Sequence, residues 1–243
     1  MQTNPKNQLA IATISWARNE AEEKLLRASL LQLAAYQVPV YVTDGGSSPS
    51  FLDFLRSIPQ LIVLQAGAKG VWAQARTSLL AAYEAGSSYI FYTEPDKLDF
   101  FQYGLPFILS QIPDNDSIGI RVASRSAEAF ATFPEFQQMT ETTINTCCAE
   151  VTGQLFEYTY GPFLINRNLV PYLKLIEEDI GWGWRPYLFG ITHRVGYQIE
   201  SMEGNFACPL DQQSDDPAER IYRMRQLQQN IQGIVLSTQV KLK

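Results

Sequence analysis

The sequence predicts an α/β fold with a mostly parallel central sheet and helices on both faces, and two patterns in its first half point to it. Short apolar runs alternate with stretches whose apolar residues recur at helical spacing, the mark of strands joined by crossover helices. Those runs also end in glycine, serine and acidic residues, which form loops because glycine takes positive backbone angles and Ser or Asp satisfies free amides.

In order along the chain, Leu9 to Ser15 reads as the first strand, and Asn19 and Glu20 open a helix to about Tyr36 with Leu26, Leu30 and Leu33 on one face. Val38 to Thr43 is the second strand, ended by Asp44-Gly45-Gly46-Ser47-Ser48. Pro49 starts a helix continued by Phe51 to Ser57, and Leu61 to Gln65 is the third strand. From Val71 to Glu84, Trp72, Ala75, Leu79, Leu80 and Tyr83 fit one helical face, with Gly86 ending it, and Tyr89 to Thr93 is the fourth strand. The second half is less regular. Strands are expected at Ser117 to Val122, Phe156 to Asn166 and Tyr197 to Met202, helices at Leu169 to Glu178 and Arg185 to Arg194, and a loop at Gly181-Trp182-Gly183-Trp184. Asp216-Pro217-Ala218-Glu219 caps a last helix, with Ile221, Met224, Leu227, Ile231 and Ile234 at helical spacing.

Bulk properties narrow the function. A chain of 243 residues, 46% hydrophobic, with no Gly/Pro/Ser-rich linker reads as one compact domain. Net charge is -6 and the basic residues are scattered, which argues against nucleic acid as a partner. The amino terminus lacks a basic leader and no stretch approaches about 18 uninterrupted apolar residues, so a cytoplasmic protein without a transmembrane segment is expected. Cys147 and Cys148 are adjacent and Cys208 is remote, which suits neither a disulfide framework nor a thiolate zinc site. His193 is the one histidine, so a His-rich metal site is excluded.

The sharpest local feature is Glu94-Pro95-Asp96, directly after an apolar strand. Open α/β sheets bind ligands at the carboxyl edge, and residues two apart in extended chain project to the same side. Two hard carboxylates there suit Mg²⁺ or Mn²⁺ held jointly with phosphate oxygens, although the same residues also describe a solvated acidic turn. Asp44 occupies a second strand end, where a carboxylate accepts from a ribose hydroxyl or base edge, or simply forms an Asp-Gly turn. Lys69-Gly70 opens a helix that carries Arg76 two turns in. That helix end favours a diphosphate, or its basic residues are simply solvated.

Taken in order, Ser15-x-x-x-Asn19-Glu20, Asp44-Gly-Gly-Ser-Ser, Lys69-Gly70 and Tyr-Ile-Phe-Tyr-Thr-Glu94-Pro-Asp96 resemble the nucleotide-sugar-binding half of GT-A glycosyltransferases, in the style of the family-two and mannosylglycerate synthase enzymes. The resemblance covers residues 9 to about 100, and more loosely continues to about 205. It implies a nucleotide-sugar-binding half over about 9–100 and an acceptor half with a C-terminal helix over about 101–243. It also implies a UDP- or GDP-linked sugar donor, nucleotide contacts from Asp44 and Glu20, and metal binding by Asp96. Glu94 departs from the family's Asp-x-Asp pattern. The acceptor stays unspecified, and an oligomer is compatible with the sequence.

Within the same resemblance, Glu178-Asp179-Ile-Gly-Trp182-Gly-Trp184-Arg185 is similar to the segment carrying the general base of inverting members. It implies Asp179 as base and metal-dependent transfer with inversion. Trp182 and Trp184 are candidates to stack on an acceptor ring, or packing anchors. Some GT-A enzymes complete the metal sphere with a histidine, which makes His193 a third ligand or an exposed helix-end residue, with Asp211 as a further candidate. The rivals are a retaining transferase and a non-catalytic nucleotide-sugar-binding protein of the same fold. A nucleotidyltransferase or hydride-transferring Rossmann enzyme would need glycines between the first strand and its helix, where this chain has Ser15-Trp-Ala-Arg-Asn-Glu20.

Overall fold

A computed structural model describes residues 9–113 and 115–242. In chain order the regular elements are β1 (Leu9–Ser15), α1 (Glu20–Ala34), β2 (Val40–Asp44), α2 (Pro49–Arg56), β3 (Leu61–Gln65), α3 (Val71–Glu84), β4 (Tyr89–Thr93), α4 (Leu105–Leu109), β5 (Ile118–Arg125), α5 (Ala127–Phe130), α6 (Glu135–Thr152), β6 (Phe163–Asn166), α7 (Trp184–Arg194), β7 (Gln198–Gly204) and α8 (Pro217–Gln239). They divide into two compact units, residues 9–113 with 162–171 and residues 115–161 with 172–242.

The first unit is a β/α layer with strand order β3-β2-β1-β4-β6, parallel except for β6, which runs antiparallel to β4. All seven residues of β1 are buried, as expected for a parallel strand covered on both faces. On α1, Leu26, Leu30 and Leu33 turn inward, and Asn19 caps the helix by accepting from the Glu22 amide. Strand β2 starts at Val40 instead of Val38, since Pro39 has no amide to give a ladder. Buried hydroxyls bridge the strands. Ser78 of α3 donates to the Thr13 carbonyl and bonds Thr43 Oγ1 at 2.6 Å, and Thr13 Oγ1 donates to the Thr93 carbonyl.

After β4 the chain forms a π-turn at Phe100–Gly104 that runs into α4. Pro106 explains its chemistry. In the π pattern the Phe100 carbonyl receives the Leu105 amide, while the Phe101 carbonyl would have to receive from Pro106, which has no N–H. The Tyr36 hydroxyl donates to that orphaned Phe101 carbonyl. Burial raises the Tyr36 pKa, which keeps the hydroxyl a donor.

In the second unit β5 and β7 pair in parallel. Helix α6 was not anticipated, because its inward face reads Gln137, Thr140, Glu141, Ile144, Asn145, Cys148 and Thr152, correctly spaced but mostly polar. Two expected elements also change. Of Phe156 to Asn166 only Phe163–Asn166 is strand, because the preceding residues turn inward through Glu157 and through the Tyr158 amide, which donates to Asn145 Oδ1 at 2.8 Å. The helix expected at Leu169 to Glu178 is a 3₁₀ run at Arg167–Leu175 with Pro171 inside it.

The Gly-Trp-Gly-Trp segment is a 3₁₀ turn leading into α7 and not an open loop, and its glycines serve packing against α8. A Cβ at Gly183 would stand 2.1 Å from the Gln229 carbonyl oxygen, one at Gly233 1.8 Å from the Gly183 carbonyl oxygen, and one at Gly190 2.1 Å from Ser237 Oγ. Helix α8 therefore buries Asn230, Gly233, Ile234 and Ser237, while Ile221 and Met224, expected inward, face solvent.

Candidate functional site

In the first unit the carboxyl ends of the strands lie along one edge, with Ser15 level with Asp44 and Thr13 level with Thr93. Asp44 is buried there and its carboxylate is fully engaged. Oδ1 accepts the Gly46 and Ser47 amides at 2.8 and 2.7 Å, and Oδ2 accepts the Ser15 and Ser47 hydroxyls at 2.8 and 2.7 Å. These four bonds use the roughly four acceptor positions of a carboxylate. Ser47 Oγ in turn accepts the Ala17 amide at 2.8 Å, and the Gly45 amide donates to the Ser15 carbonyl at 2.7 Å. Asp44 thus ties the β1–α1 loop to the β2–α2 loop. Gly45 sits in a crowded spot, where a Cβ would lie 2.2 Å from Gln74 Nε2 and 3.1 Å from Trp16 Cβ and would displace the Gln74 amide.

Glu20 is exposed at the first position of α1, and neither it nor exposed Lys69 holds an ion pair among the described residues. Gly70 precedes α3 at φ +110°, a conformation that favours glycine, and no side chain caps that helix. Its first-turn amides therefore point out with the positive end of the dipole, the arrangement that receives phosphate. Arg76 is half-buried, its guanidinium 5.7 Å from the centre of the Trp72 ring.

Glu94 and Asp96 follow β4 directly. Pro95 between them is held by the Ser29 hydroxyl of α1, which donates to its carbonyl. Asp96 Oδ1 is buried with no hydrogen-bond partner, and Glu94 Oε2 is buried as well. A buried carboxylate oxygen without a donor is costly unless a cation or water meets it. The pair fits a divalent ion of the Mg²⁺ or Mn²⁺ kind, with phosphate oxygens and water completing the shell. No group of three or more His, Cys, Asp or Glu residues gathers as a metal cage among the described residues.

Trp16 escaped the sequence reading. It is 53% exposed at the first position past β1, with the Arg18 guanidinium 5.6 Å from its ring centre. Its position at a carboxyl strand end was the available signal. Arg18 itself is held by Glu22, which accepts from its guanidinium and backbone amide and whose pKa is lowered chiefly by that side-chain bond.

In the second unit Asp179 is exposed and its Oδ1 accepts the Gly181 amide at 2.8 Å. Trp182 is half-buried, donates from Nε1 to the Tyr222 hydroxyl at 3.3 Å, and carries the Arg185 guanidinium 4.9 Å from its ring centre. Trp184 is a correction to the pair of acceptor rings: it is fully buried and offers no open ring face. His193 stands exposed in the last turn of α7. The side chain of Asp211 lies outside the described residues.

The second unit's charged centre was also unforeseen. Arg125, at the end of β5, donates to Glu141 at 2.6 Å, to both oxygens of Glu157 at 2.8 and 3.1 Å, and to Thr159 Oγ1 at 3.0 Å. Its guanidinium lies 4.3 Å from the Phe133 ring centre and 4.7 Å from that of Phe130. Burial opposes the Arg125 charge, but the two glutamates overcome it and raise the pKa. For Glu157 burial works upward and Arg125 overcomes it, so its pKa is lowered. Held by two carboxylates and a hydroxyl in the interior of the unit, Arg125 is read as a structural strut.

This chain shares an open, largely parallel sheet surrounded by helices with solved structures of the GT-A fold. Among solved structures it is similar to glucosyl-3-phosphoglycerate synthase from Mycobacterium tuberculosis in complex with UDP, at 13% identity and a TM-score of 0.67, covering 98% of this chain and 83% of that one. The same enzyme with Mn²⁺, UDP-glucose and phosphoglyceric acid matches at 12% identity and a TM-score of 0.66, again over 98% and 83% of the two chains. With Mg²⁺ and UDP it matches at 12% identity and a TM-score of 0.63, over the same shares. No protein-family model matches the sequence, and no curated protein matches it. No helix among the described residues is long and apolar enough to cross a membrane.

Proposed function

We propose that this chain is a metal-dependent glycosyltransferase that moves a sugar from a nucleoside-diphosphate donor, UDP- or GDP-linked, to an acceptor hydroxyl. The observation that carries the proposal is the partnerless buried oxygen of Asp96 two residues from Glu94, at the strand edge where this fold takes ligands. The similar synthase, solved with UDP and with Mn²⁺ or Mg²⁺, supports the same donor and metal class.

In this reading Asp44 positions the nucleotide loop and Glu20 supplies a free carboxylate for ribose hydroxyls. Lys69, Arg76 and the open amides of α3 receive the diphosphate. Trp16 offers an apolar ring face to the base. Asp96, with Glu94, holds the ion, which when bound supplies positive charge against the diphosphate. In transfer, the acceptor oxygen bonds to the anomeric carbon as the carbon–oxygen bond to the diphosphate breaks. Negative charge then grows on the leaving group, where Lys69 and the α3 amides stabilise it.

Asp179 is assigned as the base that takes the acceptor proton in an inverting reaction, with Trp182 as the remaining candidate ring beside it. Its bond to the Gly181 amide favours a second reading, in which Asp179 only shapes the turn and transfer retains configuration. His193 is assigned no ligand role, and the protein is read as cytoplasmic.

A panel of UDP- and GDP-sugars with Mn²⁺, each offered a set of hydroxyl acceptors that includes phosphoglyceric acid, followed by mass spectrometry for released nucleotide and glycoside, tests the transferase reading. One donor is expected to be consumed, and an inverted anomer with loss of turnover in Asp179→Asn supports the base. A retained anomer with normal turnover in that variant removes it, and consumption of no donor by folded protein overturns the function.

A further inference from the structure

Helix α1 buries Leu26, Ser29, Leu30, Leu33 and Ala34, and of these Ser29 alone has a polar side chain. A hydroxyl inside a helix ordinarily donates to the carbonyl four residues back. In this chain Thr77, Thr143, Thr146, Thr152 and Thr192 all do so. Ser29, fully buried, instead donates out of its helix to the Pro95 carbonyl, between the two acids that follow β4. Two residues on, the Lys97 carbonyl accepts the Phe101 amide at 2.9 Å, and the Phe101 carbonyl accepts the hydroxyl of Tyr36, just past the end of α1. Asp96 thus has a held carbonyl on each side, and both holds trace back to one helix. Pro95 adds a restriction of its own, because it disfavours helical backbone at Glu94.

We propose that Ser29 is a positioning residue for the ion site, holding Pro95 so that the Glu94 and Asp96 carboxylates meet one divalent ion together, with Tyr36 bracing the far side of the same loop. The proposal rests on the reading of those two acids as the ion site. Two carboxylates brought to one site repel each other, and burial strengthens the repulsion by removing water. Asp96 Oδ1 is buried without a hydrogen-bond partner, so no donor holds that oxygen in place. Its position has to come from the backbone, and the Ser29 bond fixes the backbone one residue away. Ligands ordered in advance bind more tightly, because the cost of ordering them is met on folding. Replacing the Ser29 hydroxyl by hydrogen leaves α1 its apolar packing but leaves the Pro95 carbonyl without its donor, and the acids are then free to part.

The test is titration of the full chain with Mn²⁺, alone and with UDP or GDP, read by the electron paramagnetic resonance of the free ion. Ser29→Ala should weaken Mn²⁺ binding about fivefold, as one lost hydrogen bond does, and Tyr36→Phe about twofold. Ser237→Ala removes an equally buried helix hydroxyl that donates within its own helix, and should leave Mn²⁺ affinity unchanged. Tyr36→Phe, which keeps the ring, decides the matter if Ser29→Ala does not fold. Wild-type affinity in the folded Ser29 and Tyr36 variants, with the ion lost in Asp96→Ala, overturns the proposal and leaves the donor site standing. An equal loss in Ser237→Ala overturns it as well, since the effect would then be a general loosening. No Mn²⁺ bound by the wild type, with or without either nucleotide, overturns the positioning role and the ion site together.

Discussion

Strand β1 and helix α6 bury their residues by opposite chemistry. β1 hides seven residues, Leu-Ala-Ile-Ala-Thr-Ile-Ser, and satisfies their backbone through parallel ladders on both sides. Helix α6 hides Gln137, Thr140, Glu141, Asn145 and Thr152, and needs specific partners for them: Arg125 for Glu141, the Tyr158 amide for Asn145, and the Tyr158 hydroxyl for Thr152. Apolar burial tolerates small shifts of neighbours, because its gain scales with area. A buried polar network does not, because each lost partner leaves an unsatisfied group. The first unit should therefore be robust at its centre and adaptable at its strand ends. The second should depend on single residues.

Arg125→Ala is the severest test of that contrast. It strands Glu141 and Glu157 without their cation and should cost about 3–5 kcal/mol, read as a large drop in the urea midpoint. Gly233→Ala should cost about 1–3 kcal/mol, as its methyl group meets the Gly183 carbonyl and forces α8 away from the turn at Gly181–Gly183. Thermal unfolding would show it, and unchanged melting would mean that α8 gives way freely. Acid gives a graded version. The Glu157 pKa is lowered in the folded state, so its stabilisation is complete above the ordinary carboxylate value of about 4.3 and fades as pH falls through the depressed value. Urea midpoints should decline more steeply below pH 4 for the wild type than for Glu157→Gln. The smallest effect is expected in the first unit. Tyr36→Phe removes the donor to the Phe101 carbonyl and should cost about 1 kcal/mol by urea titration.

How legible each region was follows from the same contrast. Residues Leu9–Ser15, Leu61–Gln65, Val71–Glu84 and Tyr89–Thr93 form the elements anticipated for them, because apolar period decides both packing and prediction there. The placement of Asp44, Glu94 and Asp96 at strand ends was legible for the same reason. What Asp44 does was not, since its four donors come from Ser15, Gly46 and Ser47 and not from a pattern of spacing. Helix α6 was hidden by its polar inward face. Trp182 and Trp184 looked alike in sequence, yet the turn at Gly181–Gly183 leaves one half-exposed and sends the other into the interior. On α8 helical spacing pointed correctly to Ile234 but not to Ile221 and Met224, which face solvent, while Gly233 sits in the close contact.

The central claim is that Asp96 and Glu94 form an ion-dependent donor site, and titration calorimetry of UDP and GDP with and without Mn²⁺ tests it most directly. One nucleotide is predicted to bind the wild type in the presence of Mn²⁺ and to lose at least tenfold in affinity without the ion or in Asp96→Ala. Equal binding with and without Mn²⁺, full affinity in Asp96→Ala, or no binding of either nucleotide by the folded wild type would contradict the account.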